Sequence, residues 1–275
     1  MPKTYSIRRP VLAFTAGAAV STLGGLIGLG GAEFRLPILI TIFALYAHRA
    51  VRFNLLVSLV TLSFAAIARA ATLPNINLTA YADVVLSMIA GGMISAWIGA
   101  GWLARIRPDR LMAIISMILL VVAMMLFAEA AFADAQLPAL RGDPVLRSCI
   151  GVVAGLLIGA VSSLLGVAGG EFIIPILIFV FGTDIKTAGT MSLLISLPVV
   201  LIGVARHRIN GHYRSRDAMI YLVLPMAAGS IVGALLGGMM ASAVPTNALK
   251  TTLAVILAWS AMKLRRRFDR DNHDS

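Results

Sequence analysis

The chain has a single cysteine and four histidines among 275 residues. A lone thiol closes no intrachain disulfide, and Cys149 reads as a small apolar residue in a helix. His48, His207, His212 and His273 fall into no HExxH or similar ligand spacing, which argues against a metalloenzyme. No Gly-x-x-x-x-Gly-Lys-Ser/Thr sequence occurs, so no nucleotide is hydrolysed through that motif. Charged residues make up only 13% of the chain, with Asp and Glu together at 12. That is too little polar material to clothe a soluble globule of this length. No motif asks for a cofactor.

Apolar residues fill the space instead, at 59% of the sequence and a mean hydropathy of +0.93. Apolar segments near membrane length run over Val11–Ile27, Leu55–Ala68, Val84–Leu103, Leu111–Phe127, Val145–Leu165, Met191–Ala205, Met219–Met240 and Leu249–Met262. Lys3, Arg8 and Arg9 before the first of these resemble the start of a secretory signal. The run nevertheless continues to Ile27, longer than a signal core of about 7–15 residues, and reads as a retained first span. Two shorter segments, Phe34–Leu45 and Phe172–Phe181, carry an internal proline. They read as half-helices or re-entrant pieces, tolerable at membrane depth only where protein or a water cavity satisfies their free backbone groups.

The chain repeats itself. Gly28 to Ile40, GLGGAEFRLPILI, returns 138 residues later as GVAGGEFIIPILI, Gly166 to Ile178. At the same offset Leu55, Leu56, Ser58 and Leu59 meet Leu193, Leu194, Ser196 and Leu197, while Gly91, Ala96 and Gly99 meet Gly229, Ala234 and Gly237. The sequence predicts two homologous transmembrane repeats, residues 11–127 and 149–264, with a linker over 128–148 and a basic tail over 265–275. Each holds about five segments, four long and one short or broken, giving an all-α integral membrane protein with 8–10 transmembrane segments. Two long copies fit a transporter, since solenoids need three or more units. Gly91, Ser95 and Gly99, like Gly229, Gly233 and Gly237, are four apart and predict close helix packing.

Charge placement orients this architecture. With ten spans the halves are inverted, and a cytoplasmic N-terminus puts 17 of the 23 Lys and Arg inside. If the short segments re-enter, eight parallel spans leave 15 inside and 8 outside. The inverted arrangement is preferred, with both termini cytoplasmic. The net charge of +11 is then a matter of anchoring at span ends, and not of nucleic acid binding.

Chemistry concentrates at the repeated glycine motif. Glycines let the backbone bend sharply before a short helix, whose N-terminal N–H groups and dipole attract anions. Gly30, Gly31, Gly169 and Gly170 are therefore candidate substrate-binding positions. Glu33 and Glu171 read either as caps of those N–H groups or as proton carriers, because an ionisable group inside a membrane bundle is expensive. Arg35 and Arg52 are candidate anion ligands. Their simpler roles are a pair with Glu33 or a lipid headgroup for Arg35, and a cytoplasmic loop charge for Arg52. Thr190 and Ser192 offer hydroxyl donors to an oxyanion, or simply bond the preceding helical turn.

The pattern Gly-x-Gly/Ala-Gly-x-x-x-x-x-Pro-x-Leu, seen at Gly28–Leu39 and Gly166–Leu177, resembles the TauE/SafE family, as does Lys186-Thr-Ala-Gly-Thr-x-Ser-Leu193. Members of that family are membrane permeases associated with export of sulfite and other sulfur-containing anions. The resemblance covers nearly the whole chain. It departs from the family's common pattern at Glu33 and Glu171, where members usually carry an apolar residue, and at Ala50–Asn54, which replaces the Ala-Gly-Thr-x-Ser motif.

The expected function is secondary transport of a small anion, a sulfur-containing oxyanion or an organosulfonate or carboxylate, with protons as coupling ion and the bilayer as environment. The resemblance implies a bacterial inner membrane, and an oligomer is compatible with it. The alternative is a non-transporting membrane scaffold for a partner enzyme. An intramembrane hydrolase lacks a nucleophile and base constellation.

Overall fold

A computed structural model describes residues 8–27, 31–72, 79–103, 105–131, 143–183, 185–213 and 215–240, together with residues 251, 255, 258 and 262. Gly30, most of the linker, most of the segment Leu249–Met262 and the basic tail lie outside the described residues. The described residues are helical, with short connections and no strands. In order they form α1 (Arg8–Ile27), α2 (Ala32–Thr41), α3 (Ala47–Thr72), α4 (Ala82–Leu103) after a 3-10 turn, α5 (Pro108–Ala131), α6 (Pro144–Leu165), α7 (Gly170–Phe179) and α8 (Ile185–Ile209). α9 (Arg216–Ala218) then leads through a π turn at Met219–Val223 into α10 (Leu224–Met240). The π turn precedes Pro225, which has no N–H to donate and whose ring clashes with the carbonyl four residues back.

The protein is an all-α integral membrane protein. Among the described residues five helices are long and apolar enough to cross a membrane: Ala47–Ile67, Ala82–Leu103, Pro144–Leu165, Thr187–Ile209 and Arg216–Gly237. α1 and α5 reach 20 and 24 residues. The distribution of polarity is that of a protein in lipid. Leu86, Trp102, Met117, Leu157 and Met239 are exposed, whereas Ser21, Glu33, Arg35, Asn54, Ser58, Thr61 and Ser230 are buried.

Two small-residue seams hold the bundle. On α6, a Cβ added at Gly151, Gly155 or Gly159 would run into Ser87, the Met88 carbonyl or the Gly92 carbonyl of α4, and one on Gly99 would meet Ser163. On α10, a Cβ on Gly229 or Gly233 would meet the carbonyls of Phe14 or Ala18, and Gly17 of α1 approaches the Met226 carbonyl in return. Backbones this close exchange dispersion contacts that lipid tails cannot match. The expected glycine stripes are packing surfaces.

These contacts also fix helix directions. Numbers rise together along α4 and α6, from the Arg147–Asp83 ion pair at 3.2 Å through Gly155–Met88 to Ser163–Gly99, so the two run parallel. α1 and α10 do the same, from Phe14–Gly229 to Gly25–Gly237. α4 is parallel to α8, with Gly92 on Val199 and Trp97 under the Arg206 guanidinium. α3 is antiparallel to α8, because Leu55 meets Gly203 while Arg52 acts on His207 farther along.

Finally, the Tyr213 hydroxyl donates to the Arg52 carbonyl at 3.2 Å, while Ser58, Thr61 and Ser230 share one guanidinium. α3 and α10 therefore also run parallel. α1, α3 and α10 point one way, and α4, α6 and α8 the other. Since α1 and α3 share a direction, the chain between them, which contains α2, must travel back. The same holds for α7 between α6 and α8. The short segments are thus half-helices on a returning path, each with 10 residues, or about 15 Å of helix.

A seam glycine and a free one should separate in a mutational test. Gly155→Val should lower stability by about 1–3 kcal/mol through overpacking, read as thermal melting of the detergent-solubilised protein. Gly101→Val, where a Cβ meets nothing nearer than the Arg206 guanidinium at 4.0 Å, should melt like the parent.

Candidate functional site

α2 and α7 begin alike. Gly31 and Gly169 immediately precede them in the left-handed region, at φ 72° and 79°, where an L side chain is strained. A Cβ on Gly31 would lie 2.6 Å from the Val20 carbonyl oxygen, and one on Gly169 would lie 2.7 Å from a methyl of Ile158. Proline follows in each helix, Pro37 and Pro175, and an acid sits in each first turn. The bend also closes behind α6, where Gly166 adopts φ 65° and donates to the Ser162 carbonyl at 2.8 Å. The Ser162 hydroxyl then donates to the Val167 carbonyl at 2.5 Å.

The acids are the centre of the arrangement. Glu33 and Glu171 are 1% and 2% exposed, and their carboxyls lie close enough to act on each other. Each also faces its own backbone N–H, as a first-turn carboxylate does. Neither Glu33 oxygen nor Glu171 Oε2 makes a well-formed hydrogen bond. Buried polar atoms are rarely left this way, and such atoms call for a functional or solvent explanation. Sequence positions 138 apart thus meet side by side.

Arg35 is fully buried yet forms neither of its expected pairs. Its Nε donates to Asn54 Oδ1 at 3.2 Å and its Nη2 to the Ser58 hydroxyl at 2.9 Å. Nη1 reaches the hydroxyls of Ser21, Thr61 and Ser230 at 3.3, 3.1 and 3.0 Å. Ser58 and Thr61 pass their own protons to the carbonyls of Asn54 and Val57, leaving their lone pairs for the guanidinium. Asn54 in turn donates to the Ala32 carbonyl at 2.8 Å and so ties the cage to the start of α2. The cation is solvated by neutral oxygens from α1, α3 and α10, and Glu33 acts on it at longer range.

Sequence reasoning missed the cage. Its clearest signal is polar Asn54, Ser58 and Thr61 at spacings of four and three on one face of an otherwise apolar helix.

The other candidates lie apart. Arg52, half-buried, lines a pocket at the start of α3 with Arg49, Phe53, Gly211, His212 and Ser215. Ser192 is buried in α8, in the sequence column of Asn54. Thr190 stands two residues earlier and is engaged by a neighbour. Gly170 is the first residue of α7. The structure brings together Glu33, Glu171, Gly31 and Gly169 with Gly170, sets Arg35 beside them, and puts Arg52 in a separate pocket.

A family model described as Sulfite exporter TauE/SafE matches residues 13–264 of the chain. Neither the curated proteins nor the solved structures compared with the chain give a match.

Two outcomes follow from this geometry. Gly31→Ala and Gly169→Ala should each cost about 1–2 kcal/mol for the left-handed backbone. Gly31→Ala should be the worse in thermal melting, because a carbonyl in a packed helix yields less than a methyl. Arg35→Met should leave melting within about 1 kcal/mol of the parent or raise it, since the hydroxyls of Ser58, Thr61 and Ser230 keep their backbone acceptors and a buried charge disappears. A large loss of stability in Arg35→Met would make the cation a structural strut.

Proposed function

Because the chain belongs to the sulfite exporter TauE/SafE family, we propose that it is a secondary transporter of a small sulfur-containing oxyanion or an organosulfonate or carboxylate. The family is one of membrane anion exporters, and this chain is an integral membrane protein. In the proposed arrangement the halves are inverted repeats in a bacterial inner membrane, with both termini in the cytoplasm. The opposed directions of α1, α3, α10 and α4, α6, α8 support this. So does the pocket that joins the start of α3 to residues 211–215, which eight parallel spans would put on opposite sides of the membrane.

The observation that carries the transport reading is the pair of neighbouring, buried and under-bonded carboxyls at the heads of two half-helices. Broken helices with N-termini facing inward are how transporters build a midplane anion site. In this protein each half-helix carries a carboxyl in its first turn. When the pair is ionised, its negative charge repels an incoming anion. A proton on the pair removes that charge and supplies an O–H donor. Proton and anion therefore bind together and cross together. Arg35, which acts on Glu33 and is replaced by Ile173 in the second motif, keeps positive potential near the site without closing over it.

The test is pH-gradient-driven flux of sulfite and of a small alkyl sulfonate in proteoliposomes. Glu33→Gln with Glu171→Gln should abolish accumulation against the gradient while the protein still inserts and melts normally. Of the single variants Glu171→Gln should be the more damaging, because Arg35 acts on Glu33 and not on Glu171. Full accumulation by the double variant would reduce both glutamates to helix caps.

A further inference from the structure

The positive charge at the other end of α3 has no counterpart in this scheme. Arg49 and Arg52 stand in the first two turns of a helix that has no acid in its first turn, where the backbone dipole already favours an anion and disfavours a cation. They line a pocket of about 280 Å³ with Phe53, Gly211, His212 and Ser215. Every charged or titratable member of that lining is basic. His207, from the end of α8, packs against one of the lining residues: it is fully buried, edge-on to the His212 ring at 5.6 Å between centroids, and neither of its ring nitrogens has a partner. Arg52 Nε and His212 Nδ1 are also unpartnered. Cations, a helix N-terminus and buried ring and guanidinium nitrogens without partners thus meet at one concavity, with no acid among its described lining residues.

We propose that this pocket binds an oxyanion of the sulfate or phosphate type, at a site separate from the paired glutamates. The guanidiniums of Arg49 and Arg52 would grip its oxygens, which fits their forked donor geometry. The Ser215 hydroxyl and the His212 ring, as an N–H donor, would complete the shell. An anion there neutralises the crowded positive end of α3, as anions at helix N-termini do. The pocket is lined by the start of α3 and by residues that follow α8, so the same oxyanion could arrive free in solution or as a phospholipid headgroup. The site does not depend on which species is transported.

His212 makes the site pH-sensitive. Burial, then the neighbouring Arg52, hold its pKa below the ordinary histidine value. The charged and titratable groups around it are Arg49 and Arg52 from α3, His207 from α8 and Tyr213, whose hydroxyl donates to the Arg52 carbonyl. A bound anion favours protonated His212, so binding should tighten as pH falls.

The test is thermal melting of delipidated, detergent-solubilised protein titrated with sodium sulfate against sodium chloride at equal ionic strength, between pH 6 and pH 8. A parallel arm compares nanodiscs of phosphatidylglycerol with nanodiscs of phosphatidylcholine. The parent should gain stability by mass action in at least one arm. Response to sulfate identifies a free anion, and response to phosphatidylglycerol alone identifies a headgroup.

Arg49→Gln, at an exposed position that threatens folding least, should raise the concentration for half-maximal shift roughly tenfold, as the loss of one charge-assisted hydrogen bond does. His212→Gln should flatten the pH dependence. The Glu33→Gln, Glu171→Gln double variant should keep the full response, which separates this site from the proposed transport site. An equal response in the parent and in Arg49→Gln, or none in either arm, would overturn the proposal.

Discussion

Hydrocarbon offers no hydrogen bonds, and that constraint governs this structure. A chain that interrupts a helix at membrane depth exposes several N–H and C=O groups, each costly when unpaired. α2 and α7 create such interruptions twice, and the remaining helices are arranged to enclose them. The two glycine seams make enclosure feasible. By letting α1 lie against α10 and α4 against α6 at backbone distance, they draw the bundle tight around both half-helices. Seams of larger residues would push these helices apart and open the bends to lipid.

Within that enclosure the two halves diverge chemically. Around Arg35 the first half gathers Ser21, Asn54, Ser58 and Thr61, with Ser230 from α10. The columns 138 residues away hold Ile173 for Arg35, Gly159 for Ser21, Ser192 for Asn54, Ser196 for Ser58, Val199 for Thr61 and Gly92 for Ser230. There the Val199 side chain packs toward Gly92, while Ser192 and Ser196 keep buried hydroxyls with no cation among these columns. One half supplies a cation and the other an isoleucine in its place, while both supply a carboxyl. The Arg35 charge acts on Glu33, so the two carboxyls sit in different surroundings.

Much of this was legible in the sequence because it is local. The half-helices followed from glycine, acid and proline at fixed spacing, and the seams from glycines four apart. Both features depend on one helix at a time. The cage of Arg35 did not follow, because its five acceptors come from three helices and each hydroxyl looks like an ordinary one bonding its own preceding turn. Arg52 belongs to a pocket only through Gly211, His212 and Ser215, which form no motif. The short segments were left open between spanning and re-entry by charge counts alone. Helix directions, which only tertiary contacts reveal, decide that α2 and α7 lie on returning paths.

The central claim is that Glu33 and Glu171 meet. It is tested most directly by E33C and E171C together in a C149A background, with a protease site inserted in residues 132–142 and mercuric ion as a short thiol bridge. The account predicts that the two cleaved halves stay joined on a denaturing gel after treatment, that thiol excess releases them, and that neither single variant joins. Halves that separate although both thiols react would contradict it.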